Sequence, residues 1–307
     1  MKKILSVLLI FTLLLTFIYP VQATTQTQSS QKEEIIYALL DSDGKVNEVY
    51  VVNSFKTKRE ILENTLGFPI TWTINNFKIA SQKLSFLTNS DAFDIAGIFG
   101  SSLFNSLFVT ILSVIIIVIF TSMAAWMLVR SKTKTSTVIF FMLIAAMLIP
   151  FQAVMLPLVA LAGKLDLQNR VGLSFMYLGF SSSLSVFLYH GFIKGLPISI
   201  EEAAIVDGCS TWQVFWKIVF PTLKPIHVTV GALNVIAIWN DFLLPQLMIN
   251  QDGLQTIPLK MFFFFGGYAK QWHLAMAGLL LAIIPVIIFY FFAQKHIVEG
   301  ITQGSNK

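Results

Sequence analysis

The chain has 307 residues, 55% of them hydrophobic and 12% charged, where soluble domains run at about 45–50% apolar and about 25% charged. A mean hydropathy of +0.74 leaves too little polar material to cover a water-facing surface, so lipid does part of the solvent's work. The net charge of +5 comes from 21 basic and 16 acidic residues with no basic run of the kind that clamps phosphate backbones, which argues against nucleic acid as a partner, and a lone Cys209 excludes both an intrachain disulfide and a cysteine-rich metal site.

The first 23 residues have the pattern of a secretory signal peptide: Lys2 and Lys3, an apolar run from Ile4 to Phe17, then Val21, Gln22 and Ala23 with small residues at the outer positions. An uncleaved membrane anchor is the competing reading, although the apolar run is short for a span. Residues 24–53 look foreign to the remainder of the chain: a polar stretch to Glu34, then two runs, 35–40 and 46–52, around Asp41-Ser42-Asp43-Gly44 that read as one β-hairpin. Residues 54–100 read as an extracytoplasmic segment with helical pieces, and 101–307 as a transmembrane domain.

Crossing a hydrocarbon layer about 30 Å thick takes about 20 apolar residues at roughly 1.5 Å each. Five stretches qualify, at about 103–129, 138–162, 171–193, 226–249 and 274–292. None alternates, so the expected fold is an all-α polytopic helical bundle and not a β-barrel. Pro150, Pro157 and Pro285 fall inside these stretches, where neighbouring helices re-satisfy freed carbonyls, so kinks are expected there. Basic residues in short loops are retained in the cytoplasm. Placing residues 130–136 inside puts eight on that side (Arg130, Lys132, Lys134, Lys194, Lys217, Lys224, Lys295, Lys307) against four outside (Lys164, Arg170, Lys260, Lys270). That vote predicts a multi-pass protein of the cytoplasmic membrane with its C-terminus and the loop around 194–224 inside.

The most informative stretch is the inside loop at 197–221. Ser199 and Glu202 have capping-box spacing for a short helix after Pro197. Asp207-Gly208 supplies a turn, since glycine accepts a positive φ that other residues resist. Ser210 and Gln213 form a second box, opening a helix through Trp212, Phe215 and Trp216 that Pro221 is expected to stop. Two readings compete for this helix-turn-helix projection. It is either an amphipathic connector resting its aromatics at the membrane surface, or a knob for a cleft on a soluble partner, with Ala203 and Ala204 allowing close approach and Glu202 offering a charge to a basic wall.

Glu202-Ala203-Ala204, Asp207-Gly208, Ile218 and Pro221 resemble, with spacing intact, the EAA loop of binding-protein-dependent ABC importers; Phe220 stands where that family usually has Leu. Ser54-Phe55-Lys56-Thr57, Gly67-Phe68-Pro69, Trp72-Thr73, Asn105-Ser106, Ile149-Pro150-Phe151-Gln152, Trp239-Asn240-Asp241-Phe242 and Met276-Ala277-Gly278 are similar to carbohydrate-type permeases of the maltose-transporter kind. The resemblance covers about residues 54–307. It implies a sugar permease subunit that works beside a second permease, an ABC ATPase subunit holding ATP and Mg, and an extracytoplasmic sugar-binding protein, with no cofactor on this chain. The family's members usually have a spanning helix just before the Ser-Phe-Lys-Thr position. The signal-like segment and hairpin stand in its place, which points to a fusion of two reading frames or a gene-model error.

No Gly-x-x-x-x-Gly-Lys-Ser/Thr loop is present to cradle ATP. Ionisable groups are nearly absent from mid-span, which disfavours ion coupling, and no paired carboxylates or metal-ligand cluster suggests an enzyme. His227, Asn234 and Asp241 recur every seven residues and share one helix face. They are either interhelical glue or, for Asn234, Asn240 and Asp241, part of a translocation pathway. The serines at 181–183 and 185 likewise either line a polar path or permit close packing. Alternatives to the sugar permease are a non-transporting membrane scaffold, an inactive fusion product, and an ABC permease for another solute.

Overall fold

The computed structural model describes residues 49–65, 67–88, 95–264 and 271–305, and among these every regular element is helical. Short helices α1 (Val49–Ser54), α2 (Lys58–Glu63), α3 (Asn75–Lys83) and α4 (Ile95–Phe99) precede the long α5 (Ser102–Arg130). Then come α6 (Lys134–Ala146), α7 (Phe151–Lys164) and α8 (Arg170–Lys194). The elbow comprises α9 (Ser199–Val206), α10 (Thr211–Val214), a π-helical turn Phe215–Val219 and α11 (Phe220–Thr222). The chain returns through α12 (Lys224–Trp239), α13 (Leu243–Met248), α14 (Ile257–Met261) and α15 (Trp272–Ser305).

α5, α8 and the Trp272–Phe289 part of α15 are each long and apolar enough to cross a membrane. Two bent pairs raise the number to five if each is one span: Lys134–Ala146 with Phe151–Lys164 at 105°, and Thr211–Thr222 with Lys224–Trp239 at 74°. The expected kink at Pro150 is thus a break. Pro150 is extended and starts α7 as its N-cap, and a residue before proline is pushed out of the helical region, which ends α6 early. Pro157 and Pro285 do lie inside continuous helices. The fourth expected span also ends sooner, at Trp239, with Asn240 as its C-cap.

The signal-like residues and the first run of the expected hairpin lie outside the described residues. The second run does not form a strand: Val49–Val52 belong to α1, which packs on α15 and buries Asn53 and Ser54. β-Branched residues follow their packing context, and here the available surface is a helix. A helical segment therefore does lead into the Ser-Phe-Lys-Thr position, where the sequence had suggested a hairpin strand.

α5 and α8 pack most extensively of all pairs. Both helices bury small polar side chains, Ser113 on α5 and Ser174, Ser183 and Ser185 on α8, a residue type that lets helix backbones approach closely. Ser113 donates to Val109 O at 2.6 Å and Ser174 to Arg170 O at 3.0 Å, so neither hydroxyl is left without a partner. At the opposite end from the elbow, Asn105 Nδ2 donates to Gly253 O and Gln255 O at 3.0 Å each, and Ser106 Oγ accepts from Ile257 N at 2.9 Å. Arg170 ties Phe99 O and Gly253 O together at 2.8 and 2.9 Å.

A small lobe forms from the two N-terminal motifs. Asn76 Nδ2 donates to Ser54 O and Lys56 O at 2.8 and 2.7 Å. The fully buried Lys56 ammonium donates to Asn64 O at 2.7 Å and Thr65 O at 3.3 Å. Burial pulls its pKa down, and nearby Glu60 opposes that shift. Phe55 packs its ring on Trp72 and Phe77, with centroids 5.5 and 5.1 Å away.

Candidate functional site

The elbow begins one residue earlier than its capping-box spacing implies. Ile198 is already helical at φ −66°, ψ −25°, and no side chain caps it. The acid in the third helical position is therefore Glu201, not Glu202, and the Ser199–Glu202 box does not form. Glu201 turns into the bundle. Its carboxylate accepts from Trp126 Nε1 at 2.9 Å and from Arg130 Nε and Nη2 at 2.9 and 2.7 Å. Arg130 also donates to Leu196 O at 3.3 Å, so the last turn of α5 grips the entry leg at two points. Side-chain exposures of 17% for Arg130 and 10% for Glu201 make this a mostly buried ion pair. Such a pair is costly to break from one side.

The turn matches its sequence. Gly208 sits at φ +87°, Gly208 N donates to Ile205 O and Cys209 N to Ala204 O, both at 3.0 Å. These two bonds are a Schellman motif, which needs a left-handed residue where the glycine stands. A Cβ at Gly208 would meet nothing within 4 Å. The requirement there is conformational and not a matter of space inside this chain. The Ser210–Gln213 capping box forms as expected, with bonds of 2.8 and 3.4 Å.

Pro221 does not stop the second leg. A proline clashes with the carbonyl four residues back in an α-helix, and the π turn Phe215–Val219 widens the ladder just before it, with Phe220 N donating to Phe215 O. The helix continues to Thr222 and bends at Leu223.

Of the residues singled out from the sequence, Glu202, Ala203, Asp207, Gly208 and Pro221 are exposed, Ala204 is buried and Ile218 is half-buried. The fold gathers the first four on the elbow tip. They sit among exposed apolar side chains: Ile200 is 47% exposed, Ile205 57%, Val206 86% and Trp212 61%. Behind the tip, an apolar hollow of about 650 Å³ lies between α5, α8 and the elbow, lined in part by Phe120, Trp126, Val186, Trp212 and Phe215.

His227 and Asn234 face α8 from α12, and Asp241, just beyond the C-cap Asn240, reaches the same helix. His227 Nδ1 pairs with Tyr189 Oη at 2.6 Å, Asn234 Nδ2 donates to Ser185 Oγ at 3.2 Å, and Tyr177 Oη donates to Asp241 Oδ2 at 2.8 Å. Asn234 also donates to Val230 O, and Asn240 Nδ2 to Ile236 O, both at 2.8 Å. Sequence reasoning passed over Glu201, Trp126, Tyr177 and Tyr189, and counted Arg130 only as a topology signal. One clue was present: Trp126 and Arg130 are four apart and therefore share a face at the end of a span.

The chain is thus an apolar helical body with a bent projection pinned to α5. Residues 117–303 match the binding-protein-dependent transport system inner membrane component family, and the chain belongs to it. It is 49% identical, over 84% of its length and 90% of the relative's, to the probable starch degradation products transport system permease protein AmyC of Thermoanaerobacterium thermosulfurigenes. Identity is 34%, with the same two coverages, to the multiple sugar-binding transport system permease protein MsmG of Streptococcus mutans. In fold it resembles a chain of a bacterial ABC transporter involved in the import of the acidic polysaccharide alginate, with TM-score 0.64, 20% identity, and coverage of 90% of this chain and 99% of that one. The protein is a multi-pass transport permease component.

Proposed function

We propose that this chain is one of two permease subunits of an importer for sugars, with oligosaccharides of starch breakdown as the favoured substrate class, and that the elbow seats in a cleft of a separate ABC ATPase. ATP and Mg are held by that partner, and an extracytoplasmic binding protein delivers the sugar. The observation that carries the reading is the elbow's two-faced construction. One face is locked to α5 through Glu201, while the other leaves Glu202, Ala203, Ile205 and Val206 exposed among the described residues. A merely structural connector has no need to leave Val206 86% exposed.

Closure of the ATPase pair on ATP moves the docked tip, and the pinned base passes that motion to α5 and α12, opening the pathway alternately to each side. ATP drives this only if the elbow binds the two ATPase states with different free energies. Glu202, Ala203, Ala204, Asp207, Gly208, Ile218 and Pro221 form the coupling element. Ala204 and Ile218 support it from beneath. Asn240 and Asp241 are placed as pathway groups at the outer end of α12, with Asn234 holding α8 against α12 behind them. Membrane lipid surrounds the bundle, and the elbow and the C-terminus face the cytoplasm.

The test is a cysteine at Ala203 in a chain whose Cys209 is serine, crosslinked within the intact complex. Capture of the ATP-hydrolysing subunit, with maltotriose-stimulated ATP turnover by the reconstituted complex, is the expected result. Crosslinks that form only to lipid or to a second permease would overturn the docking assignment.

A further inference from the structure

Besides the packing of Phe215 on Trp126, the elbow is tied to the bundle by polar contacts on each leg, and the second leg ends in a joint where two backbone donors are missing. Pro221 and Pro225 have no N–H, and the chain bends by 74° between Thr211–Thr222 and Lys224–Trp239. Leu223 N still donates to Val219 O at 3.0 Å and His227 N to Leu223 O at 2.9 Å, but a bend short of two helical donors flexes more readily unless side chains replace them. Here one does. His227 Nε2 lies 2.9 Å from Phe220 O, on the far side of the bend, and His227 Nδ1 lies 2.6 Å from Tyr189 Oη on α8. A carbonyl only accepts, so Nε2 carries the proton and the neutral ring takes the Tyr189 hydroxyl proton at Nδ1. Tyr189 and Leu223 are fully buried. The His227 ring stacks near Phe220 at 4.3 Å and meets Tyr189 edge-on at 5.4 Å.

We infer that His227 is the positioning residue that locks the exit leg of the elbow to α8 and α12, so that displacement of the tip reaches the spans and is not absorbed by flexing at Leu223. This deepens the importer reading and rests on it. The Glu201 clamp fixes the entry leg and His227 fixes the exit leg. With one of them released, the tip still docks and the ATPase still cycles, but the spans no longer follow.

The experiment compares His227→Phe, Tyr189→Phe and His227→Gln in the whole importer complex, purified through a tag on this chain and reconstituted in vesicles. Maltotriose uptake and ATP hydrolysis are measured together. Tyr189→Phe removes a single hydroxyl and keeps the ring, and so serves where His227→Phe fails to assemble. Both variants are expected to keep the ATPase bound and turning over, while sugar moved per ATP falls about five- to tenfold, the low end of ordinary coupling factors. Glutamine has one donor and one acceptor for the same two partners and is expected to restore at least half of the ratio. An unchanged ratio in Tyr189→Phe and His227→Phe overturns the joint while leaving the importer standing. So does a parallel fall of uptake and hydrolysis with equal loss of assembled complex. Absence of ATP-driven uptake by the unaltered complex on any maltodextrin overturns the importer reading, and this inference with it.

Discussion

Replacing Glu201 by alanine removes the acceptor for three donor atoms at once: Trp126 Nε1, Arg130 Nε and Arg130 Nη2. The guanidinium is left in a site where its side chain is only 17% exposed. Breaking a buried pair from one side costs about 3–5 kcal/mol. The residual exposure and the remaining Leu196 O contact favour the lower figure, about 3 kcal/mol. That cost falls on opening of the elbow away from α5, and the chain carries its own reporter. Cys209 is the only cysteine, it comes directly after the elbow's glycine, and it is half-buried with its side chain packed on the core. A free-energy change of about 3 kcal/mol is roughly a hundredfold in an opening equilibrium. Because the thiol already has some exposure in the closed elbow, the labelling rate with a bulky maleimide is expected to rise at least tenfold. The measurement is pseudo-first-order labelling of the detergent-purified chain, unaltered against Glu201→Ala. Arg130→Met combined with Glu201→Met, which removes both charges, is expected to return most of the protection, since an apolar pair of similar volume is often neutral. Labelling rates within threefold of each other in all three proteins would falsify the clamp.

Gly208→Ala forces a Cβ into the left-handed region at a cost of about 1–2 kcal/mol but clashes with nothing in this chain, so the isolated subunit is expected to express and purify normally while ATPase binding, read by co-purification, weakens. Gly172→Ala is a steric problem, since its Cβ would stand 1.9 Å from Leu167 O; backbone must move, and a loss of thermal stability corresponding to about 1–3 kcal/mol is expected in a melting assay. Asn105→Ala frees the carbonyl of Gln255 and leaves that of Gly253 to Arg170 alone, so a fall of about 1–3 kcal/mol is expected, seen as faster proteolysis at 250–257 with the elbow's Cys209 labelling unchanged.

How much of this was legible in the sequence depends on how far each feature reaches. The turn at Asp207-Gly208 and the Ser210–Gln213 box are local, and both form where the spacing put them. The phase of α9 is not local. Glu201 and Glu202 are equivalent on pattern, and the choice falls to Trp126 and Arg130, which come 75 and 71 residues earlier in the chain. The stripe of His227, Asn234 and Asp241 was readable from its spacing, although Asp241 lies just beyond the C-cap of α12, and its partners Tyr177, Ser185 and Tyr189 stand at multiples of four on α8, a face that spacing alone does not join to it. Pro150 and Pro221 were expected in each other's roles. The first starts a helix after a break, because its ring pushes the residue before it out of the helical region, and the second sits within one because a π turn makes room. The run at 49–52 illustrates the same limit, since β-branched residues read as strand adopt helix when a helix is what they lie against.

The pairing between α8 and α12 works like the cuts on a key. Its three rungs join His227 to Tyr189, Asn234 to Ser185 and Asp241 to Tyr177, so the teeth are evenly pitched on one blade and unevenly on the other. Sliding α12 by a single turn, about 5.4 Å, would misalign every rung together and leave buried hydroxyls and amides facing hydrocarbon. The two helices are therefore confined to one relative height. A one-turn ratchet would cost all three bonds at once, whereas tilting as a couple keeps them.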